Sequence, residues 1–340
     1  MTSKQLVIAT LTGKPAPRTP TGPLAVHYCA RPAGYTLRQY TTSAQALANS
    51  VIRYYERFTP DAVWLSADTW VSAEAMGAKV GADDDNQPWG GTGDPLIKSA
   101  ADIDRIPAPD IGAQGRYPLM IEALSRIVSQ IGREVFIVAC VDQYPFSLAA
   151  ALMGINEIMT RIVDDPEFVR ALISRCEQYA AAYGRALADA GADLLSGGDS
   201  PAGLLGPKLY RESALPAEIR LVKELKATTR KPVSLHICGN ATAILPDMAT
   251  SGADVLELDH AVDLGQACRT VGPNVGLWGN LDPIRVLAQG TTQQVRQAAQ
   301  RTLAAAKAAA HGRFVLSSGC TLAVETPPEN IEALIRASAG

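Results

Sequence analysis

From about residue 60 onward one pattern repeats: a short β-branched apolar run, then a longer Ala-rich stretch with helical spacing. The runs are "DAVWLSAD", "VFIVACVD", "DLLSGGDS", "PVSLHICGN", "DVLELDH", "VGLWGNLD" and "RFVLSSGC", with "PLAVHYCA" ahead of them as an eighth. Near-continuous apolar strands joined by helices predict a parallel sheet covered on both faces. Eight such units predict an α/β fold of the (β/α)8 kind, a TIM barrel. An open doubly wound sheet is the alternative, weakened because no G-x-G-x-x-G follows the first strand. The helical stretches carry their own end signals. "DPEFVRALISRCEQYAAAYGRALADAG" opens on an acidic turn and closes on Gly191, as helix ends prefer.

One segment breaks the rhythm. Residues 81–118 are rich in Gly, Pro and Asp, the mark of a functional lid or a linker. The strand pattern resumes beyond it, so it reads as an insertion. The expected organisation is a single barrel domain over residues 1–340, with an N-terminal extension and this long insertion. Hydrophobic residues make up 47% of the 340, enough for a sizeable core. A net charge of −3 gives no basis for a nucleic-acid partner or an anionic membrane surface. No apolar run approaches the ~20 residues that span a bilayer. The N-terminus reads without a signal peptide. Six cysteines in a chain of this length do not read as a disulfide framework, and a reducing cytoplasm fits them.

Chemistry in such a barrel sits at the C-terminal ends of the strands. Those ends carry Asp68, Asp142, Asp199, His236 with Cys238, Asp259 with His260, Asn280 with Asp282, and Cys320. Each acid taken alone also suits the cap of the next helix. The sharpest set is His236, Cys238 and Cys320. His236 and Cys238 are two apart on a strand and share a face, and Cys320 closes the last strand. Two thiolates and an imidazole select zinc, and three protein ligands with a position left open is the pattern of a catalytic site. On local spacing alone, a metal-free buried His and Cys weigh as much as a zinc site. His27 and His311 lack partners at ligand spacing and read as packed or surface histidines. Cys29, Cys140, Cys176 and Cys268 read as buried thiols. Arg31, just after the first run, either binds an anionic substrate or pairs with a surface acid.

Several stretches together resemble the uroporphyrinogen decarboxylase superfamily, which includes zinc-dependent, corrinoid-linked methyltransferases. They are "LIKSAADIDRIPAPD", "DSPAGLLGPKLYRE", "LHICGNAT", "VGLWGNLDP" and "FVLSSGCTLAVETPPENIEALI". The resemblance spans nearly the whole chain and implies a (β/α)8 barrel. Decarboxylases carry an arginine-rich stretch similar to M-R-Q-A-G-R-Y; here it reads "ARPAGYTLRQY", where Arg31 matches and Tyr35 replaces the second arginine. Asp68 matches the decarboxylase's catalytic aspartate. "HICGN" and "SSGC" match the H-x-C…C zinc motif of the methyltransferase branch, similar to methylcobalamin:coenzyme M methyltransferases and O-demethylase components.

The resemblance implies a zinc-dependent methyltransferase moving a methyl group between a corrinoid protein and a small substrate such as a thiol or a methyl ether. Uroporphyrinogen decarboxylation is the alternative. A binding module with a closed, structural zinc is a third reading. Asp259 is implied as a fourth ligand, with Glu257 as its competitor on the same strand. Asp68, Asp199, Arg31 and Asn280 are the further substrate-binding or catalytic candidates. Methylcobalamin or cob(I)alamin is expected on a partner, because the chain has no D-x-H-x-x-G motif of its own.

Overall fold

The computed structural model describes residues 1–91 and 93–338. Thr92, inside the expected insertion, and residues 339 and 340, inside the expected domain bounds, lie outside the described residues. Seven strands form one parallel sheet in sequential order: β1 (Ala62–Leu65), β2 (Phe136–Gln143), β3 (Leu194–Gly198), β4 (Val233–Ile237), β5 (Val255–Leu258), β6 (Gly276–Leu281) and β7 (Phe314–Ser318). A doubly wound sheet reverses its strand order part-way. This one does not, so the doubly wound alternative falls.

The first expected strand is corrected. "PLAVHYCA" forms 3-10 turns at Val26–Cys29 and Arg31–Ala33. Its apolar side chains are buried all the same, and periodicity cannot tell a short buried turn from a short buried strand. The pairing lies just upstream. Gly22 N donates to Leu316 O at 3.0 Å and Leu316 N to Pro20 O at 2.9 Å, while Thr21 O accepts from Asp61 N at 2.9 Å and Ala62 N at 3.2 Å. Residues 20–22 therefore touch both β7 and the start of β1. The Asp61 carboxylate anchors them, taking two bonds from Arg18 (2.6 and 2.8 Å) and one from Thr21 N (2.9 Å). "SLHICGN" consequently lies on the fourth strand rather than the fifth, and Cys320 follows the seventh rather than an eighth.

Alternation along the strands sorts side chains between two cores. One face packs against the helices. The other builds a small inner cluster that includes Trp64, Val138, Leu194, Val255, Trp278 and Val315. The helix α1 (Ser3–Leu11), the expected N-terminal extension, adds Val7 and Leu11 to that cluster and so covers one end of it. Trp64 and Trp278 meet edge to face, centroids 5.7 Å apart, and both indole N–H groups donate to the Gly22 carbonyl (3.4 and 2.8 Å). A Cβ on Gly22 would stand 2.4 Å from the Trp278 ring, so only glycine fits there.

The helices begin and end where their residues allow. Helix Pro166–Asp189 is capped by Asp165, whose side chain accepts from Phe168 N, and stops just before Gly191. Helix Thr292–Ala308 starts on a Thr291/Gln294 capping box. The insertion has structure of its own: a Gly81–Trp89 bridge, the helix Ala100–Arg105, and the start of helix Tyr117–Ile131. Among the described residues no single helix is long and apolar enough to cross a membrane.

Candidate metal centre and cavity

The inward-facing positions change character along each strand. On β1 the same parity runs Trp64, Ser66, Asp68; on β2, Val138, Cys140, Asp142; on β3, Leu194, Ser196, Gly198. On β4 it runs Ser234, His236, Cys238, and on β5, Val255, Glu257. Apolar packing at the N-terminal end thus gives way to polar groups around a 610 Å³ cavity.

His236, Cys238 and Cys320 meet at one wall of it, their ligand atoms all within 4.8 Å of one another. His236 Nε2 lies 2.9 Å from Cys238 Sγ, and the two sulfurs are 3.7 Å apart, too far for a disulfide. A sulfur–sulfur edge of roughly 3.8 Å follows from tetrahedral geometry with metal–sulfur bonds near 2.3 Å. The donor set and the sulfur–sulfur edge therefore suit a tetrahedral metal of zinc's size, while the 2.9 Å His236–Cys238 contact is shorter than the roughly 3.5 Å nitrogen–sulfur edge of such a site, so the ring moves back when a metal enters. His236 Nδ1 sits 3.0 Å from the Glu257 carbonyl. That contact takes the Nδ1 proton and leaves Nε2 to face the sulfurs. Cys238 N donates to Ser200 Oγ at 3.3 Å, fixing the loop after β4.

The three groups tune one another. The hydrogen bond with Cys320 draws the Cys238 thiol down to about 7, against its burial. The same bond and burial push Cys320 up to about 12. Burial is the largest single influence and opposes a charge on His236, but the bond and charge of Cys320 together with the carboxylate and carbonyl of Glu257 outweigh it and lift the ring to about 9. One sulfur is thus ready to be a thiolate near neutral pH.

Gly319 lets Cys320 reach this position. A Cβ there would stand 2.4 Å from His260 N, a backbone atom that cannot yield cheaply. Gly319→Ala is expected to cost about 1–3 kcal/mol and to weaken metal binding by shifting Cys320. Thermal melting with and without metal reads both effects, and an unchanged metal affinity would show that the turn does not set the sulfur's place.

The other sequence candidates separate. Glu257 lines the cavity, and its Oε1 accepts from Ser196 Oγ at 2.7 Å and from Ser234 Oγ. Burial raises its pKa, with His236 nearby acting against the rise. Asp259 is not among the cavity-lining residues; its Oδ1 accepts from Ala261 N at 2.8 Å and faces His260 Nδ1 at 3.0 Å. Asn280 donates to the carbonyls of Asp259 (3.1 Å) and Val262 (2.7 Å), bracing the β5 loop. Asp199 accepts from Ser147 N at 2.7 Å behind the cavity wall, and burial raises its carboxyl above the usual range. Arg31 is half exposed and faces Glu325 at 3.5 Å, the surface-acid outcome, because the 3-10 turn carries it away from the cavity. Asp68 lines the cavity and is held by Arg116 through both guanidinium nitrogens, one at 3.1 Å, and by Trp70 N at 2.7 Å. Arg116 also reaches Glu74 at 2.5 Å.

Sequence reasoning missed Arg116 and the serines Ser196 and Ser234, and it read His27 as a packed or surface histidine rather than a cavity residue. Arg116 sits in the non-periodic insertion and gave no signal. The serines did have one: they share parity with the inner apolar residues. Asp142 has a sharper consequence. Burial pushes its carboxyl up to about 7, against donation from Ser72 N at 2.7 Å. A carboxyl raised on folding contributes its full stability below the unfolded value near 4, and that contribution is lost as pH climbs to about 7. Relative to wild type, Asp142→Asn should therefore gain more stability at pH 8 than at pH 5. Equal melting-temperature differences at the two pH values would clear Asp142 as the source.

Compared with known families, residues 2–339 match uroporphyrinogen decarboxylase (URO-D). Methylcobamide:CoM methyltransferase MtaA of Methanosarcina barkeri is 28% identical, over 99% of this chain and 97% of that protein. Methylcobamide:CoM methyltransferase MtbA of Methanosarcina acetivorans is 30% identical, over 81% of this chain and 78% of that protein. Among solved structures, a methyltransferase from Methanosarcina mazei superposes with a TM-score of 0.89 at 25% identity, covering 99% of this chain and 98% of that one.

Proposed function

Because the chain belongs to the uroporphyrinogen decarboxylase family, we propose that it is a zinc-dependent methyltransferase, moving a methyl group between a corrinoid protein and a small substrate. The observation that carries this reading is the convergence of two sulfurs and one imidazole on the wall of a large cavity. His236, Cys238 and Cys320 would hold the zinc; Glu257 lines the cavity but, like Asp259, does not join that cluster, so on this reading the fourth position is left for substrate. Bound zinc supplies the charge that keeps sulfur ligands deprotonated and the Lewis acidity that draws a substrate sulfur or ether oxygen. The Glu257 carbonyl holds the His236 ring, and Ser200 holds the Cys238 backbone. Ser196 and Ser234 keep the Glu257 carboxyl oriented from behind.

We read the sheet as a (β/α)8 barrel in which residues 20–22, bonded to both β7 and the start of β1, stand for the eighth stave. The site then lies at the open C-terminal mouth, where Trp89, Leu204 and Ile284 are exposed on segments that follow strands. The methyl carrier is expected there on a separate protein, as the relatives' names, methylcobamide:CoM methyltransferase, suggest for them.

The test is metal analysis joined to methyl transfer. The purified protein should carry about one zinc per chain, and chelation should abolish consumption of methylcobalamin by an added thiol until zinc is restored. Coproporphyrinogen formation by metal-stripped protein would overturn this reading in favour of decarboxylation. Zinc whose removal collapses the melting temperature, with no methyl transfer by the loaded protein, would favour a structural metal.

A further inference from the structure

The same cavity has a second polar region that the metal ligands leave unused. His27, on the turn Val26–Cys29, and Asp142, near the end of β2, both line it. Each is more than nine-tenths buried, at 7% and 3% exposure. Each also carries a buried atom with no hydrogen-bond partner, His27 Nε2 and Asp142 Oδ1. A buried polar atom left unpaired costs about 1–3 kcal/mol, so a ligand group that pairs with these atoms recovers that cost.

The chemistry of the two atoms narrows the group. Either nitrogen of a neutral imidazole donates in one tautomer and accepts in the other, so the unpaired Nε2 can meet a hydroxyl in both. Burial lowers the ring's pKa and so keeps it neutral. Asp142 has one oxygen on Ser72 N and the other free of partners. A hydroxyl donates and accepts, and satisfies both kinds of site.

The charge of the lining narrows the substrate as a whole. Its carboxyl groups are Asp68, Asp142 and Glu257, and among the described residues no lysine or arginine lines the cavity. Arg116 stands behind Asp68, engaged by Asp68 and Glu74. Lys79 lines an adjoining 290 Å³ opening that shares Trp70, Gly91, Ala151 and Gly154 with the cavity. Away from His236, a sulfonate or carboxylate held beside His27 and Asp142 would thus be desolvated with no lysine or arginine of the lining to pair it. Trp64, Trp70, Val26 and Ile155 supply apolar walls instead, and 610 Å³ is room for a ring rather than only a two-carbon chain.

We propose that His27 and Asp142 form a specificity subsite for an uncharged, largely apolar substrate, whose hydroxyl they bind while its sulfur or methoxyl oxygen faces His236, Cys238 and Cys320. The second half of that statement rests on the methyltransferase reading; the subsite itself does not. Either a neutral hydroxy-thiol or a methoxyphenol carries this chemistry.

Calorimetric titration with two matched pairs tests it: 2-mercaptoethanol against 2-mercaptoethanesulfonate, and 2-methoxyphenol against 2-methoxybenzoate. The neutral member should bind at least ten-fold tighter than its anionic partner in one pair or both, and the pair concerned identifies the source. His27→Leu should weaken that neutral probe at least ten-fold, while His27→Gln, which keeps an acceptor, and Asp142→Asn, which keeps a neutral hydrogen-bonding group, should retain most of the binding. Anions binding as tightly as neutrals in both pairs, no binding by any probe, or full binding by a folded His27→Leu protein would each overturn the subsite. Zinc content measured on the same preparation separates the two readings: a zinc-free protein that still prefers the neutral probes loses the methyltransferase reading and keeps this one.

Discussion

Cys238→Ala and Cys320→Ala are each expected to weaken zinc binding by more than about 100-fold. Removing a partner that merely orients a metal ligand costs about 10–100-fold, and on the proposed reading each substitution here removes a ligand itself. The two sulfurs and the imidazole nitrogen lie within 4.8 Å of one another, so no one of them is spare. Competition with a chromophoric chelator gives the affinity, and metal content after dialysis gives the stoichiometry. Cys268→Ala, in the helix Leu264–Val271 and away from the cavity, should keep its full zinc. Undiminished zinc in either ligand variant would remove the site, whatever the relatives of the chain do.

Arg116→Met should be the most damaging single change to stability outside the metal centre. Asp68 has a side chain only 1% exposed, and the Arg116 guanidinium is its ion-pair partner. Breaking a buried pair from one side leaves an uncompensated charge and costs about 3–5 kcal/mol. For a chain of this length that corresponds to a fall in melting temperature of roughly 5 °C. Arg116→Lys should recover only part of the loss, because an ammonium cannot reach Asp68 with two nitrogens and Glu74 with a third. The paired variant Arg116→Met/Asp68→Asn should be less unstable than Arg116→Met alone, since the buried charge has then gone too. Strict additivity of the two changes in denaturant melts would show that the residues do not act as a pair.

Much of the fold was legible because strand–helix alternation is a local property. Seven of the eight expected apolar runs form strands, and the helix ends fall on the residues that stop helices. "PLAVHYCA" misled because it is apolar for the same reason as the strands, burial in the same interior, without sharing their backbone. That His236 and Cys238 share a face of β4 was legible from parity alone. Glu257 was legible only as a competitor of Asp259, since both stand on one strand at one parity. The turn after β5, where Asp259 bonds Ala261 N and His260, is what separates them. Arg31 was similarly undecided between a substrate and a surface acid until the turn that carries it was seen.

The sequence by itself determined that this chain builds a parallel α/β sheet and that His236 and Cys238 share a face. Both follow from periods of two and 3.6 residues, which any short window contains. Only the tertiary structure decided that Cys320, 82 residues further on, comes to 3.7 Å from Cys238. It alone turned Arg116 from an unpatterned insertion onto Asp68, and it alone put His27 on a cavity wall. Those placements depend on how strand ends converge and how loops fold over them. No periodicity encodes them, because the residues concerned meet across the sheet rather than along the chain.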